Sequence, residues 1–194
     1  MEFVELIKPI PFIPEIDFQI LENPNWIAEP KYDGWRIEII STTTDVFYYT
    51  RKGRRLIIDL KFKLPPNTVL DGELITIPYT SNYSVHSAIH KDQSRLLVVL
   101  FDILFFKGRD LRNLPLVKRK EILNLIEIEG TFTIIKPCKK DFNSFVELKE
   151  KGFEGIVFKN LSSTYSEGSW IKLKSEEDFL KALEVKKKWK INRS

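Results

Sequence analysis

The 194-residue sequence contains a single cysteine, Cys138, and no long run of hydrophobic residues. One cysteine excludes a framework of intrachain disulfides and is typical of a protein in a reducing compartment. No segment approaches the roughly 18 consecutive apolar residues that a membrane-spanning helix requires. The first residues, MEFVELIKPIPF, include acids and prolines where a secretory signal needs a basic start and an apolar run. We therefore expect a soluble, cytoplasmic protein without a membrane partner.

The net charge is modest, at +4, but the excess is confined to the C-terminal end. Residues 1–170 contain equal numbers of basic and acidic residues, whereas residues 171–194 contain eight Lys or Arg and four Asp or Glu. A basic segment on a neutral body indicates a polyanionic partner, with nucleic acid as the first candidate. A solvated chain end would give the same pattern, so charge alone does not separate the two interpretations.

Short β-rich segments dominate the chain, and two helices are predicted between them. WRIEII and DVFYYT, separated by a Ser/Thr cluster, predict a hairpin, while TVLDGELITI, RLLVVLFDILFF, FEGIVFKN and SWIKLK predict further strands. LPLVKRKEILNLIEI predicts a helix that begins near Pro115. DFNSFVELKEKG predicts a second helix, with Asp141 as its N-cap and Gly152 just beyond its end. Runs of strands with inserted helices indicate an α+β fold.

The segment EPKYDGWR, residues 29–36, places a lysine among charged neighbours. Glu29 lies two residues before Lys31, Asp33 lies two residues after it, and Arg36 closes the segment. An Asp-Gly pair taken alone is most often a turn. A lysine can also serve as a nucleophile where its surroundings favour the neutral amine. Lys31 is therefore a candidate catalytic residue.

Other strand-like segments also carry charged side chains. LDGEL places Asp71 and Glu73 on one face of a strand, and FDILFF encloses Asp102, whose burial is costly unless it is paired or hydrogen-bonded. WIKLK alternates, so that Lys172 and Lys174 share a face opposite its apolar residues. Each segment alone has an ordinary explanation as a turn, a capped amide or a solvated face. Together they suit a metal-bound polyphosphate, because Mg²⁺ binds through one or two carboxylates plus substrate phosphates and lysines bind phosphate as point charges.

These segments, in this order, resemble the nucleotidyltransferase motifs of ATP-dependent DNA ligases. KYDGWR matches the Lys-x-Asp-Gly motif whose lysine carries AMP, and TRKG resembles the Arg-x-Gly element that follows it. LDGELI, FDILFF, EGIVFK and WIKLK match the remaining motifs. The resemblance covers residues 8 to 174 and is closest to bacterial, archaeal and phage ligases, including the bacterial end-joining type. It implies a nucleotidyltransferase (ATP-grasp-like) fold of antiparallel sheets flanked by helices.

The resemblance also implies an activity and its residues. A monomeric ligase would seal nicked duplex DNA with ATP and Mg²⁺ or Mn²⁺, through a lysyl-AMP at Lys31, transfer of AMP to the 5′-phosphate and attack by the 3′-hydroxyl. The residues implied to bind ATP or AMP are Glu29, Arg36, Arg51, Glu73, Phe101, Lys172 and Lys174. The residues implied to bind the metal are Glu154 and Glu73.

Three further polar residues are weaker candidates for this site. Lys159 lies five residues after Glu154, so in a regular strand the two would face opposite sides. His86 and His90 lie four residues apart, in a segment that could form a short helix. Two histidines without a nearby cysteine or third ligand make a poor metal site.

The C-terminal segment is too short for a further folded domain. Only 20 residues follow Lys174, whereas the five strands of an OB-fold, the second domain of this ligase family, need about 25 residues before loops. We expect a nucleotidyltransferase domain over residues 1–175 and a basic extension over residues 176–194, in a minimal ligase or in part of a larger assembly. The spacing of Phe179, Leu180 and Leu183 predicts a helix with its apolar face on the domain. The lysines expected to project beyond it and bind DNA phosphates are Lys186, Lys187, Lys188 and Lys190.

Other functions fit the same motifs. An RNA ligase or a GTP-using capping enzyme shares the Lys-x-Asp-Gly chemistry, and a non-catalytic nucleic-acid-binding relic would keep the fold without the activity. EPKYDGWR, FDILFF and WIKLK are closer to DNA ligases. The intact reactive positions argue against a relic.

Overall fold

The computed structural model of the chain describes residues 3–60, 64–79, 81–127 and 130–193. The chain divides into two compact units. Unit 1 comprises Met1–Ile7, Tyr32–Ile135 and Ser163–Ser166; unit 2 comprises Lys8–Lys31, Lys136–Ser162 and Glu167–Ser194. No helix among the described residues is long and apolar enough to cross a membrane.

Strands occur in runs with helices inserted between them, as the sequence predicts. The described strands are β1 (Ile10–Pro11), β2 (Trp26–Lys31), β3 (Trp35–Ser41), β4 (Val46–Thr50), β5 (Arg55–Leu56), β6 (Thr68–Thr76), β7 (Leu96–Phe106), β8 (Arg109–Asp110), β9 (Phe132–Ile134), β10 (Gly155–Asn160) and β11 (Trp170–Leu173). The described α-helices are α1 (Pro14–Asp17), α2 (Asn82–Lys91), α3 (Leu116–Asn124), α4 (Phe142–Glu150) and α5 (Glu176–Ile191), with 3₁₀ turns at Phe18–Leu21 and Gln93–Arg95.

Unit 2 is built on a four-stranded sheet in the order β1-β11-β10-β2. β10 pairs antiparallel with both β2 and β11, and β1 pairs parallel with β11. One face of this sheet contributes buried apolar side chains to a hydrophobic core: Ala28, Ile156, Phe158, Ile171 and Leu173. Phe145 of α4 and Phe179 of α5 complete that core. Because strand side chains alternate, the intervening residues lie on the opposite face.

Unit 1 is built on a seven-stranded sheet in the order β5-β4-β3-β6-β7-β8, with β9 added parallel to β7. β3 and β4 form the predicted antiparallel hairpin. The sheet contributes buried side chains to a second hydrophobic core: Ile37, Ile39, Leu70, Leu74, Val98 and Leu100. The predicted α+β fold is confirmed, and most strand pairs are antiparallel, with parallel pairing between β1 and β11 and between β7 and β9.

The two predicted helices form near their predicted starts. α3 begins after Pro115 and ends at Asn124, before the end of the predicted segment, whose last residue lies outside the described residues. α4 has the predicted cap, because the Asp141 carboxylate accepts a hydrogen bond from the Ser144 N–H at 2.8 Å. Gly152, just past its end, has a φ of +86°, a conformation that glycine adopts without strain.

The partner that a buried Asp102 requires is supplied by α3. Arg119 Nε and Nη2 donate to the two carboxylate oxygens of Asp102, each at 2.8 Å. Both side chains are fully buried. The guanidinium also donates to the carbonyl oxygens of Leu114 and Ser163, at 2.6 and 3.3 Å. The Arg119–Asp102 ion pair therefore holds α3 against the centre of β7.

The buried face of α5 differs from the predicted one. Phe179 and Ala182 are fully buried, whereas Leu180 is 46% exposed. Leu180 was predicted to face the domain, but one residue after Phe179 it is rotated by about 100° around the helix. The residues that pack beside Phe179 lie three and four positions further on, at Ala182 and Leu183.

Two of the C-terminal lysines form ion pairs that the sequence did not predict. Lys186 and Lys190 both pair with Oε1 of Glu22, at 2.8 and 3.0 Å, because they lie four residues apart on one side of the helix. Lys187 and Lys188 are exposed. Lys190 is also exposed, at 54%, so three of the four predicted lysines are exposed and only Lys186, at 22%, is partly buried.

Candidate active site

The face of the unit 2 sheet opposite its hydrophobic core carries polar and aromatic side chains. Residues directly across from each other in the register of β2, β10 and β11 point to the same side. This side, the polar face, presents Glu29, Lys31, Lys159, Trp170 and Lys172. The predicted alternation of WIKLK is confirmed, because Ile171 and Leu173 lie in the core on the other face.

Lys31, at the end of β2, pairs with the carboxylate of Glu154. Lys174 Nζ lies 2.7 Å from the same carboxylate oxygen, Oε2. The Glu154 N–H donates to the Lys31 carbonyl oxygen at 2.8 Å, which holds the acid immediately before β10. One carboxylate therefore holds two ammonium groups, and the Lys31 and Glu154 side chains are 21% and 27% exposed.

The electrostatics of this cluster favour an anion. Burial alone would raise the pKa of Glu154, but hydrogen bonds and charges from Lys174 and Lys31 bring that pKa below its ordinary value. Glu154 is therefore ionised at neutral pH, and the cluster has one net positive charge. Two partly exposed ammonium groups beside one carboxylate are suited to the phosphates of a nucleotide, for which lysines act as point charges.

A glycine is required where β10 begins. Gly155 has a φ of +145°, and a Cβ there would lie 2.1 Å from the carbonyl oxygen of Leu173. Only a residue without a side chain lets the start of β10 approach the end of β11 this closely. The approach brings Glu154 and Lys174, the neighbours of these two residues, into contact.

A second ion pair on the polar face was missed from the sequence. Lys159 Nζ lies 2.6 Å from Glu29 Oε2 and 3.8 Å from the centroid of the Trp170 ring. The expectation that Lys159 and Glu154 face opposite sides assumed one regular strand, but Glu154 precedes β10 and does not follow its alternation. Alternation within GIVFKN, which puts Lys159 and Gly155 on one face, is the signal that could have found it.

Arg36, predicted to contact the nucleotide, lies on β3 of unit 1 with several protein partners. Its Nε and Nη2 donate to the two carboxylate oxygens of Asp71 at 3.0 and 2.6 Å. It also donates to the Ile7 carbonyl and the Tyr165 hydroxyl, at 2.6 and 3.2 Å. Burial lowers the pKa of Arg36, but the Asp71 carboxylate raises it further, so the net pKa lies above its usual range. Phe101, predicted to bind ATP or AMP, is buried on β7, with the Arg36 guanidinium carbon 5.5 Å from its ring centroid.

The remaining predicted nucleotide residues also lie in unit 1. Glu73 Oε1 accepts a hydrogen bond from the Gly34 N–H at 3.2 Å. Arg51 is exposed in the turn after β4. Asp33, which follows Lys31 in the motif, accepts a hydrogen bond at 2.8 Å from the side-chain amide of Asn82. The nucleotide contacts of Glu73 and Arg51 stay predictions.

No group of three or more His, Cys, Asp or Glu among the described residues could hold a metal ion. His86 and His90 lie on α2 with ring centroids 4.8 Å apart. Glu154 offers a single carboxylate, which fits a divalent ion brought in on substrate phosphates rather than one held in a preformed cage. Metal binding by Glu154 and Glu73 stays a prediction.

Residues 8–174 match the family model of the ATP dependent DNA ligase domain. The SPbeta prophage-derived DNA ligase-like protein LigB of Bacillus subtilis is 28% identical over 168 residues, covering 78% of this chain and 62% of that protein. A DNA ligase of Methanocella arvoryzae is 30% identical over 198 residues, covering 83% of this chain and 34% of that protein.

A solved structure shows the same fold. The ligase domain of M. tuberculosis LigD aligns with a TM-score of 0.67 and 22% identity, covering 90% of this chain and 62% of that one. The likeness confirms the predicted fold of ligase nucleotidyltransferase domains. The chain spans less than two thirds of the length of each of these three relatives.

Proposed function

The chain belongs to the ATP-dependent DNA ligase domain family, and from this we propose that it forms a covalent lysyl-AMP at Lys31 and uses it to seal nicks in DNA. The observation that carries the proposal is the cluster of Lys31, Glu154 and Lys174, in which the motif lysine lies beside a second ammonium group. A nucleophile and a phosphate-binding cation are thereby held on one carboxylate.

In the first step the partly exposed Lys31 ammonium gives up a proton to solvent water, and the resulting neutral amine separates from the Glu154 carboxylate. The nitrogen lone pair forms a bond to the α-phosphorus of ATP, and the bond from that phosphorus to the bridging oxygen breaks. Pyrophosphate leaves with the electron pair, and a phosphoramidate remains on Lys31. Phosphoryl transfer depends mainly on positioning and on stabilising the negative charge of the phosphate oxygens.

Lys174 and Lys172 are the residues of unit 2 that would supply this stabilisation. Lys174 lies 2.7 Å from Glu154 beside Lys31, and Lys172 shares the polar face. Preorganised cations aimed at the charge of the transition state stabilise it more than they stabilise the substrate. A divalent metal, when bound to the phosphates and Glu154, would add to the neutralisation of their charge.

In the later steps AMP passes to the 5′-phosphate of a nick, and the 3′-hydroxyl displaces it. DNA is the proposed polynucleotide because the family is that of DNA ligases. The proposed phosphate contacts are the four lysines of α5: Lys186, Lys187, Lys188 and Lys190. Lys187 and Lys188 are exposed, whereas Lys186 and Lys190 would have to exchange Glu22 for a DNA phosphate.

Incubation with nucleotide labelled at the α-phosphate, in the presence of Mg²⁺, tests the covalent step. We expect label to stay with the protein on a denaturing gel after incubation with ATP, because a phosphoramidate survives denaturation. Retention from GTP alone would instead assign a capping-type enzyme. Retention from neither nucleotide would contradict the proposed activity and support a non-catalytic relic.

Replacing Glu154 with alanine should slow formation of the labelled adduct by roughly 10- to 100-fold, because both lysines lose the carboxylate that positions them and a metal ligand is lost. Raising the Mg²⁺ concentration should restore only part of the rate. Glu121→Ala removes an exposed acid that pairs with Lys118 at 2.9 Å and serves as the control, with an expected rate equal to that of the unaltered chain. If Glu154→Ala forms the adduct as fast as the unaltered chain at every Mg²⁺ concentration, Glu154 has only a structural role.

A further inference from the structure

Two lysines of α5 converge on a single oxygen atom. Lys186 Nζ and Lys190 Nζ lie 2.8 and 3.0 Å from Oε1 of Glu22. Hydrogen bonds from Lys186 and then from Lys190 are the main reason why the pKa of Glu22 lies below its ordinary value. Glu22 is therefore charged at neutral pH. Two ammonium groups aimed at one anionic oxygen form a binding site for an anion, and a carboxylate of the same chain occupies it.

Packing between the two segments, in addition to the ion pairs, holds this site in place. Glu22 directly follows the 3₁₀ turn Phe18–Leu21, and its N–H donates to a carbonyl oxygen of that turn at 3.3 Å. The Phe18 ring packs edge-on against Trp189 of α5, with ring centroids 5.9 Å apart. Because Trp189 directly precedes Lys190, this contact holds the end of α5 beside the turn. Both lysines would therefore remain there if the Glu22 carboxylate turned away.

The carboxylate can be exchanged for another anion at little cost. The Glu22 and Lys190 side chains are 53% and 54% exposed. Ion pairs between exposed side chains contribute little to stability, because water already solvates both charges. A phosphate oxygen would replace the same two contacts. It would also relieve the same repulsion between two like charges that lie four residues apart on a helix.

The surroundings of the turn stay positive even with Glu22 in place. Lys140 Nζ donates to the carbonyl oxygens of Ile20, at 3.0 Å, and of Asn23, which lie on either side of Glu22 along the chain. Three ammonium groups and one carboxylate therefore lie at this turn, so the positive charges outnumber the negative one. Such a surface attracts a polyanion before any contact is exchanged.

We propose that Lys186 and Lys190 form a site for one phosphate group of the DNA backbone, and that Glu22 occupies this site in the free protein as an internal competitor. The inference rests on the proposed function of α5 in binding DNA. When DNA binds, a phosphate oxygen takes the position of Glu22 Oε1 and the carboxylate turns into solvent, without any change in covalent bonds. Glu22 thereby lowers the affinity of α5 for a duplex of any sequence.

Removing the charge of Glu22 should strengthen DNA binding and make it more sensitive to salt. Each phosphate that the protein neutralises steepens the dependence of log affinity on log salt by about 0.9. Glu22→Gln removes one competing charge and releases up to two lysines, so its slope should be steeper than that of the unaltered chain by about 0.9 to 1.8. Its gain in affinity should then be about 3 to 12 times larger at about 50 mM salt than at about 200 mM.

The measurement is fluorescence anisotropy of a labelled nicked duplex at several salt concentrations, without ATP or Mg²⁺, so that no reaction takes place. The matched control is Glu15→Gln, which makes the same change in net charge and breaks an exposed 2.6 Å pair with Lys181 on the same helix. Lys181 is not among the proposed phosphate contacts, so this control should change the slope by less than about 0.5. Circular dichroism checks that each variant is folded.

Removing the two lysines separates a specific site from a general repulsion between Glu22 and DNA. In the background Lys186→Gln/Lys190→Gln, the further change Glu22→Gln should raise the affinity no more than Glu15→Gln does, because no site remains for Glu22 to block.

Two results would overturn the inference: a slope for Glu22→Gln that is no steeper than that for Glu15→Gln, or a gain in affinity that persists without the two lysines. If neither the unaltered chain nor Glu22→Gln binds the duplex, the proposed role of α5 is refuted and the inference with it. The experiment with labelled ATP reports on Lys31 independently. Failure to form the adduct would refute the proposed nucleophile and leave this site intact, since DNA binding is measured without ATP.

Discussion

Replacing Lys31 with alanine should abolish the labelled AMP adduct, because no other group supplies the nucleophile of the Lys-x-Asp-Gly motif. Lys31→Arg should abolish it as well, since the guanidinium stays protonated in proteins and offers no lone pair for attack. The measurement is retention of α-phosphate label on a denaturing gel after incubation with ATP and Mg²⁺. This is the largest effect on activity that we expect from any single substitution.

Two controls make the result specific to the covalent step. Lys181→Ala removes an exposed lysine of α5 and should label as the unaltered chain does. Nicked DNA that already carries AMP on its 5′-phosphate should still be sealed to some extent by Lys31→Ala, because that last step does not need the nucleophile. An adduct that persists in Lys31→Ala would place the reactive lysine elsewhere.

Local patterns in the sequence predicted the parts of the structure that depend on local rules. The hairpin of β3 and β4, the cap of α4 at Asp141 and the alternation of Lys172 with its apolar neighbours all follow from residues close together in the chain. Lys31 and Glu154 were singled out by their motifs. Their contact depends on the register of β2 against β10, which the segments themselves do not specify.

The contacts that were missed join residues far apart in the chain. Glu29 and Lys159 are 130 positions apart and meet because β2 pairs with β10. Arg36, predicted to bind the nucleotide, has protein partners that the sequence did not predict, at Asp71, Ile7 and Tyr165. A motif indicates that an arginine is needed, but only tertiary packing shows which side chains and carbonyl groups surround it.

The buried face of α5 also could not be predicted fully from the sequence. An apolar residue at Leu180 is compatible with a helix whose stripe includes Phe179, yet the stripe that packs runs through Ala182. Three closely spaced apolar side chains predict that a helix forms, but they predict less well which side of that helix is buried. The charge of Lys186 and Lys190 was visible in the sequence, whereas their shared partner Glu22 lies in the N-terminal part of unit 2.

The largest expected loss of stability comes from Arg119, whose side chain is fully buried against Asp102. Arg119→Met should lower the free energy of unfolding by about 3–5 kcal/mol, because it leaves the Asp102 carboxylate charged and without its cation in the interior of the sheet. The measurement is urea denaturation followed by tryptophan fluorescence and by circular dichroism. The control is Lys118→Met, which breaks the exposed pair of Lys118 with Glu121 on the same helix. It should lower the free energy of unfolding by less than about 1 kcal/mol.

The double variant Asp102→Asn/Arg119→Met tests whether the loss arises from the charge. Asparagine keeps an oxygen that can accept the hydrogen bond that Asp102 receives from the Ile103 N–H at 2.8 Å. With the charge removed, the cost of burying it disappears, and replacement of a buried ion pair by groups of similar size is often nearly neutral. The double variant should therefore be more stable than Arg119→Met alone, by at least about 1 kcal/mol. If the two variants are equally unstable, the loss comes instead from the Arg119 hydrogen bonds to the carbonyl groups of Leu114 and Ser163, which both variants lack.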